Sequence, residues 1–463
     1  MSITETFLTS IFAAPRTANT AISKDIGIYT HTLSPTFTTP SAFKKSSTRP
    51  NCLAVSPTHI FAAQADKAVV HVYSRERGNQ EALISFPERI HSIHLLNEGL
   101  LALGTAEGRV ILWEVMSGRQ VSTPTSHLQP VTCLAGDSTY LVSGSEDSNI
   151  LVWSVPSLIS LSNQGPHEPL RTLSNHRAGI TALALGHSNA GTNIVVSASK
   201  DNTAIVWNHS TGTLLRTFLL PSTPSALALD PADRAFYVGY TDSSVALIDL
   251  YNPTASTNSL YDVDQQSTPL QIVAEKTNMS GAPSTLEAVN CLGVSYDGTT
   301  LLSGHQSGNV ISWETGARKF SAELTDLNAP VTNLHMESPF PRTYPVKAIG
   351  VSKPKLGEGN HTFTAQLNGT LPSKFKAETV RSEVGFADGV LEEAIMEFMM
   401  PSGPQVVGKV SKAADVEMGG GESEELAKLK KENAELWAVV NEQNDAQKET
   451  LSKKRKGAGG KKV

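Results

Sequence analysis

Thirteen histidines and three cysteines are the side chains of this 463-residue chain best suited to proton transfer, metal ligation or nucleophilic attack. His91 and His94 stand three apart. In an extended segment such residues point to opposite faces, so a shared metal is not expected there. Cys52, Cys133 and Cys291 are far apart and form no CxxC pair. Cys133 and Cys291 each precede a leucine in an apolar run, where a thiol behaves as a small buried hydrophobe. A sparse, odd set of thiols fits a reducing compartment. The chain has no phosphate-binding Walker loop, no HExxH and no GxSxG nucleophile turn. His127 and His176 are candidate general bases, but both read better as struts of a β-rich unit. The expectation is a protein without catalytic residues, metal or cofactor.

The elements that hold these residues repeat. Four of the five tryptophans close similar segments: Gly108 to Trp113, Ser148 to Trp153, Asn202 to Trp207 and Gly308 to Trp313. Degenerate copies end at Tyr73 and Ile248, and a weaker one at Tyr29. The terminal positions lie 40 to 65 residues apart, with three of the six intervals at 40 or 41. A period of about 40–45 residues is that of four-stranded propeller blades, and longer intervals are blades with loop insertions. A tight-turn pair such as Asp147-Ser148 or Asp201-Asn202 precedes each closing segment, with two more apolar strands upstream. No amphipathic helix separates the strands, which argues for antiparallel sheets. The count predicts an all-β, seven-bladed propeller. The unit at Tyr29 lacks an inner strand, and Pro330 to Met336 is expected to supply it and close the ring. Val346 to Val351 is a candidate further strand of that blade. The insertions at 154–175 and 252–287 are expected to be exposed loops.

The segments resemble WD repeats. The unit ending at Trp207 matches that family's pattern with His176, Ser197 or Ser199, and Asp201. The unit ending at Trp153 matches it with His127, Ser143 or Ser145, and Asp147. The resemblance implies that His127, Ser143, Asp147 and Trp153, and likewise His176, Ser197, Asp201 and Trp207, form hydrogen-bonded chains within their blades. Elsewhere Glu107 and Ser307 stand at the aspartate position and Ile248 at the tryptophan position.

Four regions are expected: the propeller over 1–352, an irregular linker over 353–421, a coiled-coil helix over 422–451 and a basic tail over 452–463. The linker holds a short apolar stretch, Asp388 to Met400, that packs on the propeller or anchors a partner. In the helix, Leu426, Leu429, Asn433, Leu436 and Val440 recur at heptad spacing with one polar seam position. Such a helix dimerises or docks on a partner. The last twelve residues carry six cations, so the formal charge of −6 is that of an acidic body and a basic end. Lys453, Lys454, Arg455 and Lys456 are an import signal or a contact to RNA phosphates. Met1 to Pro15 has no basic flank and carries Glu5, so a secretory signal is not expected, nor is a membrane span.

Propeller, linker, helix and basic end in this order resemble the WD-repeat subunit of the fungal Rix/IPI complex. Local pieces are similar as well, notably Val110 to Gly118, Pro130 to Leu134 and Pro330 to Leu334. The resemblance implies a non-enzymatic nuclear scaffold, in nucleoplasm and nucleolus, for pre-60S assembly and removal of the second internal transcribed spacer (ITS2). It implies a helical-repeat subunit and the other complex subunits as partners, with a giant AAA ATPase met indirectly or transiently. A role in DNA replication is a weaker implication. An acidic body repels bare RNA, so RNA contact is expected to be weak or indirect. A ubiquitin-ligase substrate receptor or chromatin scaffold is an alternative; an enzyme would need a titratable cluster in the central channel.

Overall fold

In the computed structural model, residues 4–12, 26–97, 99–160, 167–187, 193–251, 260–262, 266–340 and 350–354 are described. Seven antiparallel sheets form a ring, one per repeat. Blade 1 joins Val331–Met336 to Glu5–Ile11, Ile26–Ser34 and Thr38–Lys44. Blade 2 holds Leu53–Val55, His59–Ala63, Val69–Ser74 and Asn79–Ser85, and blade 3 holds Ile90–Asn97, Leu100–Thr105, Val110–Glu114 and Gln120–Ser122. Blade 4 holds Val131–Gly136, Tyr140–Ser145, Ile150–Ser154 and Arg171–Leu173. Blade 5 holds Ile180–Leu185, Ile194–Ser199, Thr203–Asn208 and Thr213–Leu219, with Leu270–Gln271 added in parallel. Blade 6 has three strands, Pro224–Leu229, Ala235–Tyr240 and Val245–Asp249; blade 7 has Val289–Val294, Thr300–His305, Asn309–Glu314 and Lys319–Asp326.

The closing strand lies where the repeat count puts it. Phe7 pairs with Met336 and Thr9 with Leu334, so Val331–Met336 is the inner strand of blade 1. Of the candidate strand 346–351 only Gly350 and Val351 are among the described residues. Val351 packs into the apolar core shared by blades 2 and 3, and the Ser352 N–H donates to Val115 O at 2.8 Å.

Apolar residues fill the space between neighbouring sheets. The second and third strands of blades 2 to 7 are largely buried on both faces, so they read as continuous apolar runs rather than as an alternation, whereas Ile26–Ser34 of blade 1 is only partly buried. The described parts of the two insertions are mostly exposed, as expected, but each anchors a few apolar side chains. Val155–Ile159 is a helix turn capped by the Ser154 hydroxyl, with Val155 and Leu158 buried. Leu260, Ile272, Met279 and Leu286 are buried against blades 5 to 7. The reason is blade 6, which lacks an outer strand among the described residues; the Met279 N–H pairs with Val245 O on its edge. All the described residues, the propeller and 350–354 included, fall within one compact unit, Met1–Gln366.

Candidate functional site

The inner strands build the centre of the ring. Five of them begin with the pattern [Val/Ile/Pro]-[Thr/Ser/Asn]-x-Leu, at Val131, Ile180, Pro224, Val289 and Val331. A register shift falls at the polar second residue, at Thr132, Thr181, Ser225 and Asn290. A bulge bends the strand and re-aims that side chain. Thr132 Oγ1 donates to Ile180 O of the next blade at 2.7 Å, and Asn290 Nδ2 to Val331 O at 2.9 Å. Ser225 Oγ reaches Val289 O, Ser92 Oγ reaches Val131 O at 2.9 Å, and the Cys52 thiol reaches His91 O at 3.2 Å. Asn333 Nδ2 links blade 1 to Arg49 O at 2.8 Å. The exception is Thr181, which donates to Ala198 O in its own blade. Two residues beyond the bulge comes one aliphatic side chain per blade: Leu53, Ile93, Leu134, Leu183, Leu227, Leu292 and Leu334. Together they line the waist of the channel, a space of about 160 Å³.

Titratable groups in that channel are few. His94, Asp137, His187 and His335 line the space beyond the waist, whose walls desolvate His94 and push its imidazole below the usual value. His94 Nε2 lies 2.9 Å from Gly136 O, while half-buried His91 sits near Arg49 and Arg89. Among the described residues no three His, Cys, Asp or Glu side chains come together to hold a metal ion. All three thiols are buried and pushed up to about 12 by that burial.

In blade 4 the structure brings His127, Ser143, Asp147 and Trp153 together. His127 Nδ1 is 3.2 Å from Asp147 Oδ2, its Nε2 is 2.9 Å from Ser143 Oγ, and Trp153 Nε1 donates to Ser143 Oγ at 3.0 Å. The indole N–H can only donate to Ser143 Oγ, and the Asp147 carboxylate can only accept from Nδ1–H, which leaves Nε2 to accept from the serine hydroxyl. His127 is then the Nδ1–H tautomer, donating to the carboxylate. Burial outweighs Asp147 and pushes His127 below its usual value, which favours the neutral ring. Blade 5 repeats the arrangement: Nδ1 of His176 to Asp201 at 3.4 Å, Nε2 to Ser197 at 2.8 Å, and Trp207 Nε1 to Ser197 at 2.9 Å. Burial raises the Asp201 carboxyl, but hydrogen bonds from His176, the Arg177 N–H and Thr203 outweigh it and hold the group well below the usual range. Ser145 and Ser199 lie outside these chains and donate to Gln129 O and Ala178 O. Ser143 and Ser197 are fully buried and each accepts an indole N–H, so neither hydroxyl is placed to meet a substrate.

The departing blades find other partners. Trp313 Nε1 donates to Ser303 Oγ at 2.8 Å, and Ser303 Oγ lies 2.9 Å from Nε2 of His305. His305 comes from the blade's own second strand, two residues after the serine, where blades 4 and 5 have Ser145 and Ser199. Sequence reading missed it, though Ser303-Gly304-His305 was the visible signal. In blade 3, Leu103 occupies the serine position, and Trp113 Nε1 donates instead to Ser352 O at 3.3 Å. No local pattern could have shown that, because 239 residues separate the two.

Ring closure has its own network, also unread in the sequence. Asn333 Nδ2 reaches Ser10 Oγ at 2.9 Å and Thr332 Oγ1 at 3.1 Å, and Thr48 Oγ1 donates to Ser10 Oγ at 2.7 Å. Asn333 Oδ1 accepts the Cys52 N–H at 3.0 Å. On the lower face, Arg75 of blade 2 pairs with Glu337, which also accepts from Thr6 Oγ1 at 2.7 Å. Fully buried His31 lies between Thr9 and Thr39 hydroxyls at 2.9 and 3.0 Å and stacks on Phe7. Burial pushes its pKa down to about 4. The sequence-predicted helix residues Leu426, Leu429, Asn433, Leu436 and Val440, the stretch Asp388 to Met400, and the cluster Lys453, Lys454, Arg455 and Lys456 lie outside the described residues.

Residues 118–154 and 167–208, which hold the outer strands of blades 3 and 4 and the three inner strands of blades 4 and 5, match the WD domain, G-beta repeat family. The chain is 32% identical over 303 residues to the pre-rRNA-processing protein IPI3 of Yarrowia lipolytica, covering 63% of this chain and 69% of that one. It is 27% identical over 319 residues to IPI3 of Candida albicans, covering 60% and 63% respectively. It is 27% identical over 316 residues to the pre-rRNA-processing protein crb3/ipi3 of Schizosaccharomyces pombe, covering 64% and 71%. The chain thus spans 63–71% of the length of these relatives.

Proposed function

The chain belongs to the IPI3 family of WD-repeat proteins, and from that premise we propose that it acts in pre-rRNA processing during ribosome assembly. The role is that of a nuclear, non-enzymatic scaffold in a complex that joins pre-60S particles and supports ITS2 removal. The observation that carries this reading is the 32% identity to a pre-rRNA-processing protein, over a stretch long enough to hold most of the propeller. The structure supports the scaffold part. Blades are tied internally and to their neighbours, and the channel waist is narrowed by one aliphatic side chain from each blade. Sites on a rigid scaffold lose little entropy on docking.

The partners we propose are a helical-repeat subunit and the other subunits of the complex, with a giant AAA ATPase engaged through the particle. Leu426, Leu429, Asn433, Leu436 and Val440 form a helix that pairs with its copy or docks on that subunit. Lys453, Lys454, Arg455 and Lys456 direct import or touch RNA phosphates.

Affinity purification of the tagged full chain, followed by identification of bound RNA and proteins, tests the function. The expected result is enrichment of precursor RNA spanning the second internal transcribed spacer. Recovery of a ligase adaptor or histones, without precursor RNA, would replace the reading with a substrate receptor or chromatin scaffold. Removing 422–463 and measuring solution mass with the bound helical-repeat subunit tests the helix; an unchanged stoichiometry rules out dimerisation through it. Neutralising Lys453 to Lys456 is expected to lower nuclear accumulation, and normal accumulation assigns the tail elsewhere.

A further inference from the structure

The lower face near ring closure carries an unusual combination of side chains. Tyr296, in the turn after the inner strand of blade 7, and Phe340, just beyond the closing strand, meet edge to face at 5.0 Å. Both stay more than half exposed, at 54% and 53%. Paired aromatic rings left in water are uncommon on a surface with no partner. Glu5 of blade 1 accepts the Tyr296 N–H at 3.2 Å, and Asp297 follows Tyr296 directly. Neither carboxylate has an ion-pair partner among the described residues, and Asp297 is held in its turn by bonds from Ser295 Oγ and from the Thr299 N–H and hydroxyl. Burial raises the Glu5 carboxyl above its usual value and the nearby Asp297 charge adds to this, against the bond from Tyr296. Beside them opens a cavity of about 860 Å³, lined by apolar Val55, Pro57, Met336 and Phe340 and by a larger polar set that includes Glu76 and Glu337. Arg75, the cation at its wall, is already engaged by Glu337.

From this juxtaposition we infer that the corner formed by blades 7, 1 and 2 is a docking site for an extended, Lys/Arg-bearing segment of a protein partner. A guanidinium or ammonium group over the Tyr296 and Phe340 faces gains cation–π attraction and lies within reach of Glu5 and Asp297. The cavity takes the apolar stems or a neighbouring apolar side chain of the same segment. The occupant is a protein and not nucleic acid, because phosphates would meet unpaired carboxylates here. This inference rests on the scaffold reading and names one of its surfaces.

A photoreactive p-benzoylphenylalanine in place of Phe340, in the tagged full chain, tests it. After irradiation in cells and purification, the cross-linked peptide is identified by mass spectrometry. The expected product is one protein segment with clustered Lys or Arg beside the linked residue. Adding Glu5→Gln and Asp297→Asn is expected to lower its yield about five- to tenfold while the unfolding temperature holds. A cross-link to RNA, a segment without basic residues, an unchanged yield in the double variant or no cross-link at all each overturns the proposal. Precursor RNA in the same purification separates the two levels. If it is present while the cross-link fails, this surface is wrong and the scaffold reading stands; if it is absent, the scaffold reading falls as well.

Discussion

Blade 4 and blade 1 solve the same problem with opposite chain geometry. Blade 4 is one continuous stretch whose buried polar chain runs from His127 to Trp153, with partners 10 to 20 residues apart. Blade 1 is assembled from both ends of the propeller, and its buried polar network joins Ser10, Thr48 and Asn333 across as many as 323 residues. A local network forms as soon as its blade folds. A long-range one forms only when the ring closes and the loop entropy has been overcome. The comparison teaches that the ring's weak point is its closure, and that the polar residues there specify which strand fills the gap.

The difference can be broken most severely at Asn333. Asn333→Ala leaves buried groups on Ser10, Thr48 and Cys52 short of a partner, so urea unfolding is expected to show a loss of more than about 3 kcal/mol. Equal stability of variant and parent would mean the closure network contributes little.

Acid should separate the two blades next. His31 has a folded pKa near 4, below the ordinary 6.5, so the unfolded chain binds its proton first. The neutral ring's contribution is therefore full above about pH 6.5 and is lost as pH falls toward 4, by at most about 3 kcal/mol. His31→Gln should flatten that slope in stability measured from pH 7 to 4. In blade 4 burial also pushes His127 below its usual value, but Asp147 offsets part of that shift, so acid weakens this blade in the same direction and the contrast with blade 1 rests on the larger shift at His31.

Smaller effects sharpen the local side. Ser143→Ala strands the Trp153 N–H and is expected to cost about 1–3 kcal/mol, with Ser303→Ala similar in blade 7. Ser145→Ala removes a single bond to Gln129 O and should cost about 1 kcal/mol or less. Equal losses at Ser143 and Ser145 would contradict the chain drawn for blade 4. Smallest of all is the contact between Trp113 and Ser352. Ending the chain after Phe340 removes it together with the Val351 packing, and should lower stability by about 1 kcal/mol without opening the ring.

Much of this was legible in the sequence, for a physical reason. Blade period, closing tryptophans, and the His, Ser and Asp of blades 4 and 5 are short-range patterns, and a strand–turn–strand unit imposes them within about 45 residues. The choice of Ser143 over Ser145 was not legible, since both lie on one strand face and only the indole's reach distinguishes them. His305 escaped because it arrives from the opposite side of its serine. Asn333, Thr48 and the Arg75–Glu337 pair escaped because their partners are hundreds of residues away, where no period links them. The described part of the insertion at 252–287 is mostly exposed, and its few buried anchors, Leu260, Ile272 and Met279, were not legible because they are spaced like neither a strand nor a helix.

Native-state hydrogen exchange tests the weak closure most directly. The amides of Val331–Met336 and Glu5–Ile11 are predicted to share one opening free energy, lower than that of Val131–Gly136 and Tyr140–Ser145, with the gap widening from pH 7 to pH 5. A common opening energy for blades 1 and 4 at both pH values would contradict it.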